Sequence, residues 1–268
     1  MIKVRKALPS VMSLGSLFCG LLSAVHSLEA SVGNTESLIT ASWLIIAAAL
    51  FDALDGKVSR MFRAQSRFGV EFDSIVDVCS FGFAPAVLAY QYTLLHLPGW
   101  EPFAFPLAFI FLACGALRLA RFNVQLTGFD KSLFTGIPIP SAAGLLAAFV
   151  VFMNTDLMER VSLEWTFPIE WAFPVLQLLA ALLMVSTLKY DTFPRLAWDT
   201  HWNRVKLVVL FAWLLLAVVL PAETFLPMGL FYVASGLVRA VVHRVHGEES
   251  AALDEPGMES EDGEEVLA

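Results

Sequence analysis

Apolar residues run along this chain in long blocks separated by short polar stretches. Eight blocks stand out, at about 10–28, 36–53, 70–94, 102–120, 138–154, 168–187, 205–221 and 224–242. Most approach the roughly 20 residues a helix needs to cross a bilayer. The third and fourth blocks also carry polar residues within them. The pattern predicts an all-α integral membrane protein of about eight transmembrane helices.

The basic residues give a second, independent reading of that count. With the N-terminus in the cytoplasm, Lys3, Arg5 and Lys6 lie inside, and so do Lys57, Arg60, Arg63 and Arg67 after the second block. Arg118, Arg121 and Lys131 follow the fourth block, Lys189, Arg195, Arg204 and Lys206 the sixth, and Arg239 and Arg244 the eighth. Sixteen of the seventeen Lys and Arg then fall on one side, with Arg160 alone on the other. That asymmetry is what the positive-inside rule demands, and a missed span would destroy it. Both termini are expected in the cytoplasm, with the chain in a cell membrane of the bacterial inner-membrane type. The opening stretch imitates a signal peptide, but no clean small-residue cleavage site follows and the alternation needs it as a span.

Composition agrees: 57% of residues are hydrophobic and the mean hydropathy is +0.70, against about 45–50% apolar in soluble domains. The net charge of −8 comes from one place, because nine of the 25 acidic residues lie between Glu248 and Glu265. Residues 1–246 therefore read as one polytopic domain and 247–268 as a disordered acidic cytoplasmic tail. Cys19, Cys79 and Cys114 lack metal or disulfide spacing and read as packing residues. No P-loop or dinucleotide fingerprint is present, and no nucleic-acid partner is expected. His26 and His96 read as interfacial histidines without a ligand partner.

The chemistry concentrates in residues 52–77. Asp52 and Asp55 stand at i, i+3 and Asp73 and Asp77 at i, i+4, so each pair shares a helix face. An ionised Asp at the centre of a membrane helix costs at least about 2.5 kcal/mol, which makes intramembrane acids a functional signal. The second block ends at Asp52 and Asp55 and the third starts at Asp73 and Asp77. Two antiparallel helices would thus bring all four to one level, near the cytoplasmic headgroups. Four converging negative charges repel unless cations lie among them. Oxygen-only ligands favour a hard divalent ion such as Mg²⁺ or Mn²⁺. Gly56 and Gly69 allow close approach of a ligand to the backbone, and Arg60 can fork onto a phosphate. A divalent-cation transporter is the alternative of a different class, although transport acids belong nearer the bilayer midplane.

The run Asp52-x-x-Asp55-Gly56-x-x-Ser59-Arg60, eight residues, Gly69-x-x-x-Asp73-x-x-x-Asp77 resembles the signature of the CDP-alcohol phosphatidyltransferases at every spacing. Ser59 departs, standing where the family usually has Ala. Flanking phrases resemble the phosphatidylserine synthase branch. These are Leu8-Pro9 through Gly20, Asp73 through Ala86, Cys114 through Asn123, Phe134 through Ala143, and Leu183 through Ser186. The resemblance implies CDP-diacylglycerol as donor, L-serine as acceptor, and CMP as leaving group. It also implies two divalent ions at Asp52, Asp55, Asp73 and Asp77, Asp77 as the catalytic base, and a homodimer among membrane lipids. Asp55, Gly56, Ser59, Arg60 and Gly69 would line the CDP moiety. For the zwitterionic acceptor, Arg118 and Arg121, three residues apart, are candidates for the serine carboxylate, and Asn123 could add an amide. Glycerol 3-phosphate, inositol phosphate or choline as acceptor, or an archaeal ether-lipid donor, are variants of the same chemistry.

Overall fold

The computed structural model describes residues 2–31, 34–62, 67–126, 136–162, 169–186, 188, 213 and 215–253. These residues are almost entirely helical. The helices are α1 (Ile2–Glu29), α2 (Glu36–Phe62), α3 (Arg67–Asp77), α4 (Ala84–His96), α5 (Glu101–Leu126), α6 (Ile139–Met153), α7 (Asp156–Ser162), α8 (Ala172–Val185) and α9 (Pro221–Leu253). A π-helical turn, Val78–Phe83, joins α3 to α4, and a 3₁₀ turn, Ile169–Trp171, leads into α8.

Four stretches are long and apolar enough to cross a membrane: Val11–Glu29, Glu36–Lys57, Phe68–His96 and Glu101–Val124. They coincide with the first four expected blocks. Their outward faces carry exposed Phe18, Leu21, Phe105 and Phe109, an apolar exterior that suits lipid and not water. The protein is a multi-pass membrane protein.

The fifth block behaves differently. Helix α6 is about 22 Å long at 1.5 Å per residue, short of the roughly 30 Å hydrocarbon core. Ala142, Ala143, Leu146, Ala147 and Val150 are all buried, and α6 packs against α2, α4, α8, α9 and the π-helical turn. Its alanines let the neighbours approach closely, as small residues do between membrane helices. Near its far end Tyr92, Phe149 and Phe173 form an aromatic cluster, with Tyr92 and Phe173 ring centroids 4.4 Å apart and Phe149 and Phe173 5.2 Å apart. Trp100 and Trp171 meet edge to face at 6.3 Å.

The most extensive packing is α1 along α2. A Cβ added to Gly20 would lie 2.7 Å from Ser80 Cα, so only glycine allows α1 to cross the π-helical turn at this distance. The turn has a local cause. Pro85 has no N–H for the carbonyl four residues back, and the Ala84 N–H instead donates to the Cys79 carbonyl, five back. Such turns tend to occur at functional sites, and this one begins directly after Asp77.

Helix α9 runs on to Leu253, where Glu, Ala and Leu propagate helix well. Residues 254–268 lie outside those described. His26 does have a carboxylate partner: its Nδ1 is 3.4 Å from Glu29, one turn on.

Candidate active site

Helix α2 brings Asp52 and Asp55 to its last turns, and α3 carries Asp73 and Asp77. One carboxylate oxygen from each of Asp52, Asp73 and Asp77 can be chosen so that all three lie within 4.8 Å of one another. That convergence is the arrangement the two i, i+3 and i, i+4 pairs implied. Asp55 is not one of the three. It is the most buried acid of the four and accepts a hydrogen bond at Oδ2 from the hydroxyl of Ser13, on α1. Asp55 Oδ1 and Asp77 Oδ1 are buried and have no hydrogen-bond partner among the described residues. Carboxylates concentrated at low dielectric, with lone pairs uncommitted to the protein, fit a hard divalent cation.

The remaining expected residues divide. Gly56 is exposed on α2 and Gly69 half-buried on α3, at the same end of the helix pair as the acids. Ser59 and Arg60 continue α2 as helical backbone, but their side chains lie outside the described residues. Arg118 is half-buried on α5, its Nε is enclosed without a hydrogen-bond partner among the described residues, and it lies within electrostatic reach of Asp77. Arg121, one turn on, is exposed. Burial therefore separates two arginines that the spacing had treated as a pair.

Asn123 makes its visible contact within the protein. Its Nδ2 donates to Ser74 Oγ at 3.0 Å, and Ser74 Oγ in turn lies 3.1 Å from the Val70 carbonyl. Ser74 stands between Asp73 and Asp77, so this contact ties the arginine-bearing end of α5 to the acid-bearing helix. The segment 136–138 is also pinned. Gly136 has φ +34, Ile137 N–H donates to the Leu183 carbonyl at 3.1 Å, and a Cβ on Gly136 would clash with the Met184 carbonyl oxygen.

Sequence reasoning missed Ser13. The available signal for Ser13 was the run Ser13, Ser16, Gly20, Ser23, Ser27 at helical spacing. It marks one face of α1 as small and polar, without saying which residue meets an acid.

The sequence model of the CDP-alcohol phosphatidyltransferase family matches residues 6–185. The chain belongs to that family, and it is a transferase of this class; the cation-transporter alternative falls away. Among curated proteins it is 32% identical over 231 residues to the CDP-diacylglycerol–serine O-phosphatidyltransferase of Helicobacter pylori, covering 86% of this chain and 90% of the relative. It is 34% identical over 217 residues to the protein of the same name from Methanocaldococcus jannaschii, covering 81% and 92%. The archaetidylserine synthase of Methanothermobacter thermautotrophicus is 39% identical over 145 residues, covering 53% and 57%.

Proposed function

We propose that this protein transfers the phosphatidyl group of CDP-diacylglycerol to the hydroxyl of L-serine, forming phosphatidylserine and releasing CMP. The observation that carries the reading is the meeting of Asp52, Asp73 and Asp77 oxygens within 4.8 Å, in a chain similar along most of its length to serine phosphatidyltransferases. Asp52, Asp55, Asp73 and Asp77 would hold Mg²⁺ or Mn²⁺, two ions by the family pattern. Such ions, when bound, neutralise the diphosphate and the charge developing on the leaving group.

The chain's own residues have distinct tasks. Asp77 takes the proton of the serine hydroxyl, whose oxygen forms the new P–O bond while the P–O bond to CMP breaks. Its uncommitted Oδ1 is an acceptor suited to that role. Arg118 engages the serine carboxylate, supported by its enclosed Nε and by its proximity to Asp77. Arg121, being exposed, contributes less. Gly56, Ser59, Arg60 and Gly69 line the CDP moiety on the strength of the motif. The distribution of Lys and Arg supports eight spans with both termini and the site on the cytoplasmic side.

Membranes containing the protein, supplied with CDP-diacylglycerol and separately with L-serine, glycerol 3-phosphate, inositol phosphate and choline, test the acceptor. Serine should drive CMP release with a product that is phosphatidylserine. Release driven by another alcohol and not by serine overturns the assignment. Parallel ester-linked and ether-linked donors distinguish the bacterial from the archaeal variant, which the likeness to an archaetidylserine synthase makes worth including.

A further inference from the structure

Asp55 has a partner that lies outside the signature. Ser13, 42 residues earlier on α1, donates its hydroxyl hydrogen to Asp55 Oδ2, and both residues are buried. A hydroxyl bonded to an ionised carboxylate makes a short, charge-assisted hydrogen bond that is stronger than a neutral one. The other oxygen, Oδ1, is buried too and has no hydrogen-bond partner among the described residues. One oxygen is thus engaged and the group's rotation set, while the second is left for a ligand. Ser16 shows that the contact is specific. It is one turn along α1 and just as buried, yet its hydroxyl has no hydrogen-bond partner among the described residues.

We infer that Ser13 is a positioning residue for this enzyme, holding the Asp55 carboxylate in the orientation that presents Oδ1 to a divalent cation. The inference rests on the proposed reading of the acid cluster as a metal site. It gives α1 a part in metal binding, since α1 supplies no acid to the cluster. Partners of this kind orient the groups that touch a metal, and their loss typically weakens metal affinity about 10–100-fold.

The test measures Mn²⁺ binding to the purified protein in detergent, with and without CMP, from the electron paramagnetic resonance signal of the free ion. It compares wild type, Ser13→Ala, Ser13→Thr and Ser16→Ala, with thermal unfolding in chelator recorded for each. Ser13→Ala should weaken Mn²⁺ binding by about 10-fold or more, Ser13→Thr should recover most of the loss, and Ser16→Ala should bind like wild type. If Ser13→Ala cannot be purified, Ser13→Cys, a much weaker donor, replaces it. Wild-type affinity in the variant lacking the hydroxyl overturns the inference while leaving the metal reading intact. Equal weakening in Ser16→Ala overturns it as well, because the loss would then come from helix packing. A wild-type protein that binds no Mn²⁺ overturns the metal reading and this inference together.

Discussion

Replacing Gly20 by Ala probes how the site is held, from a residue that touches no acid. The new Cβ would sit 2.7 Å from Ser80 Cα, 2.9 Å from Ser80 Oγ and 3.0 Å from Ser80 Cβ. Ordinary contact begins near 3.4 Å, so α1 and the π-helical turn must part by about 0.7 Å against backbone that cannot rotate away. Overpacking of this kind costs about 1–3 kcal/mol, against a gain of at most about 1 kcal/mol for Ala over Gly in a helix. Asp77 immediately precedes the turn and Ser13 lies two turns back on α1, so the strain falls on both sides of the acid cluster. Misplacement near 1 Å can reduce turnover about 100-fold, and a displacement somewhat smaller than that should reduce kcat by about 10-fold or more. The assay is serine-dependent CMP release from purified protein, paired with thermal unfolding. Gly144→Ala is the control, since its Cβ would meet nothing within 4 Å; it should be neutral or slightly stabilising. Unchanged kcat and unfolding temperature in Gly20→Ala would refute the reasoning, and so would an equal loss in Gly144→Ala.

Three further outcomes follow from the same geometry. Asn123→Ala removes the contact with Ser74 and should lower stability by about 0.5–1.5 kcal/mol, with the loss of activity recovered in part by Asn123→Gln; an unaltered unfolding temperature removes the tie between α5 and α3. Gly136→Ala combines a positive φ, which costs a non-glycine residue about 1–2 kcal/mol, with a clash against the Met184 carbonyl, and should sharply reduce folded yield and unfolding temperature. Arg118→Ala should raise the serine KM far more than the CDP-diacylglycerol KM, and Arg121→Ala should do so less; equal effects on both substrates would remove Arg118 from the acceptor pocket.

The convergence of Asp52, Asp73 and Asp77 was legible because helices impose spacing. Asp52 with Asp55, and Asp73 with Asp77, had to share faces, and two adjoining spans running in opposite directions had to bring the pairs together. The first four spans were legible for the same reason, as apolar blocks long enough to cross lipid. Other features depend on tertiary contacts that hydropathy does not record. Helix α6 is apolar like the first four spans but shorter, and its packing against several neighbouring elements is not recorded in hydropathy. The π-helical turn is invisible to any 3.6-residue pattern, although Pro85 hints at it. Ser13 meets Asp55 across 42 residues, and serine is too common in membrane helices to single out. Arg118 and Arg121 looked equivalent until the burial of one and the exposure of the other separated them.

The central claim is that the converging carboxylates carry out a serine-dependent phosphatidyl transfer. Its most direct measurement is CMP release by purified protein from CDP-diacylglycerol, with and without L-serine and with Mn²⁺ or chelator, for wild type and Asp77→Asn. Wild type should release CMP only when serine and the divalent ion are both present, and Asp77→Asn, correctly folded, should release almost none. Undiminished serine-dependent release by Asp77→Asn, or release by wild type that ignores serine, would contradict the account.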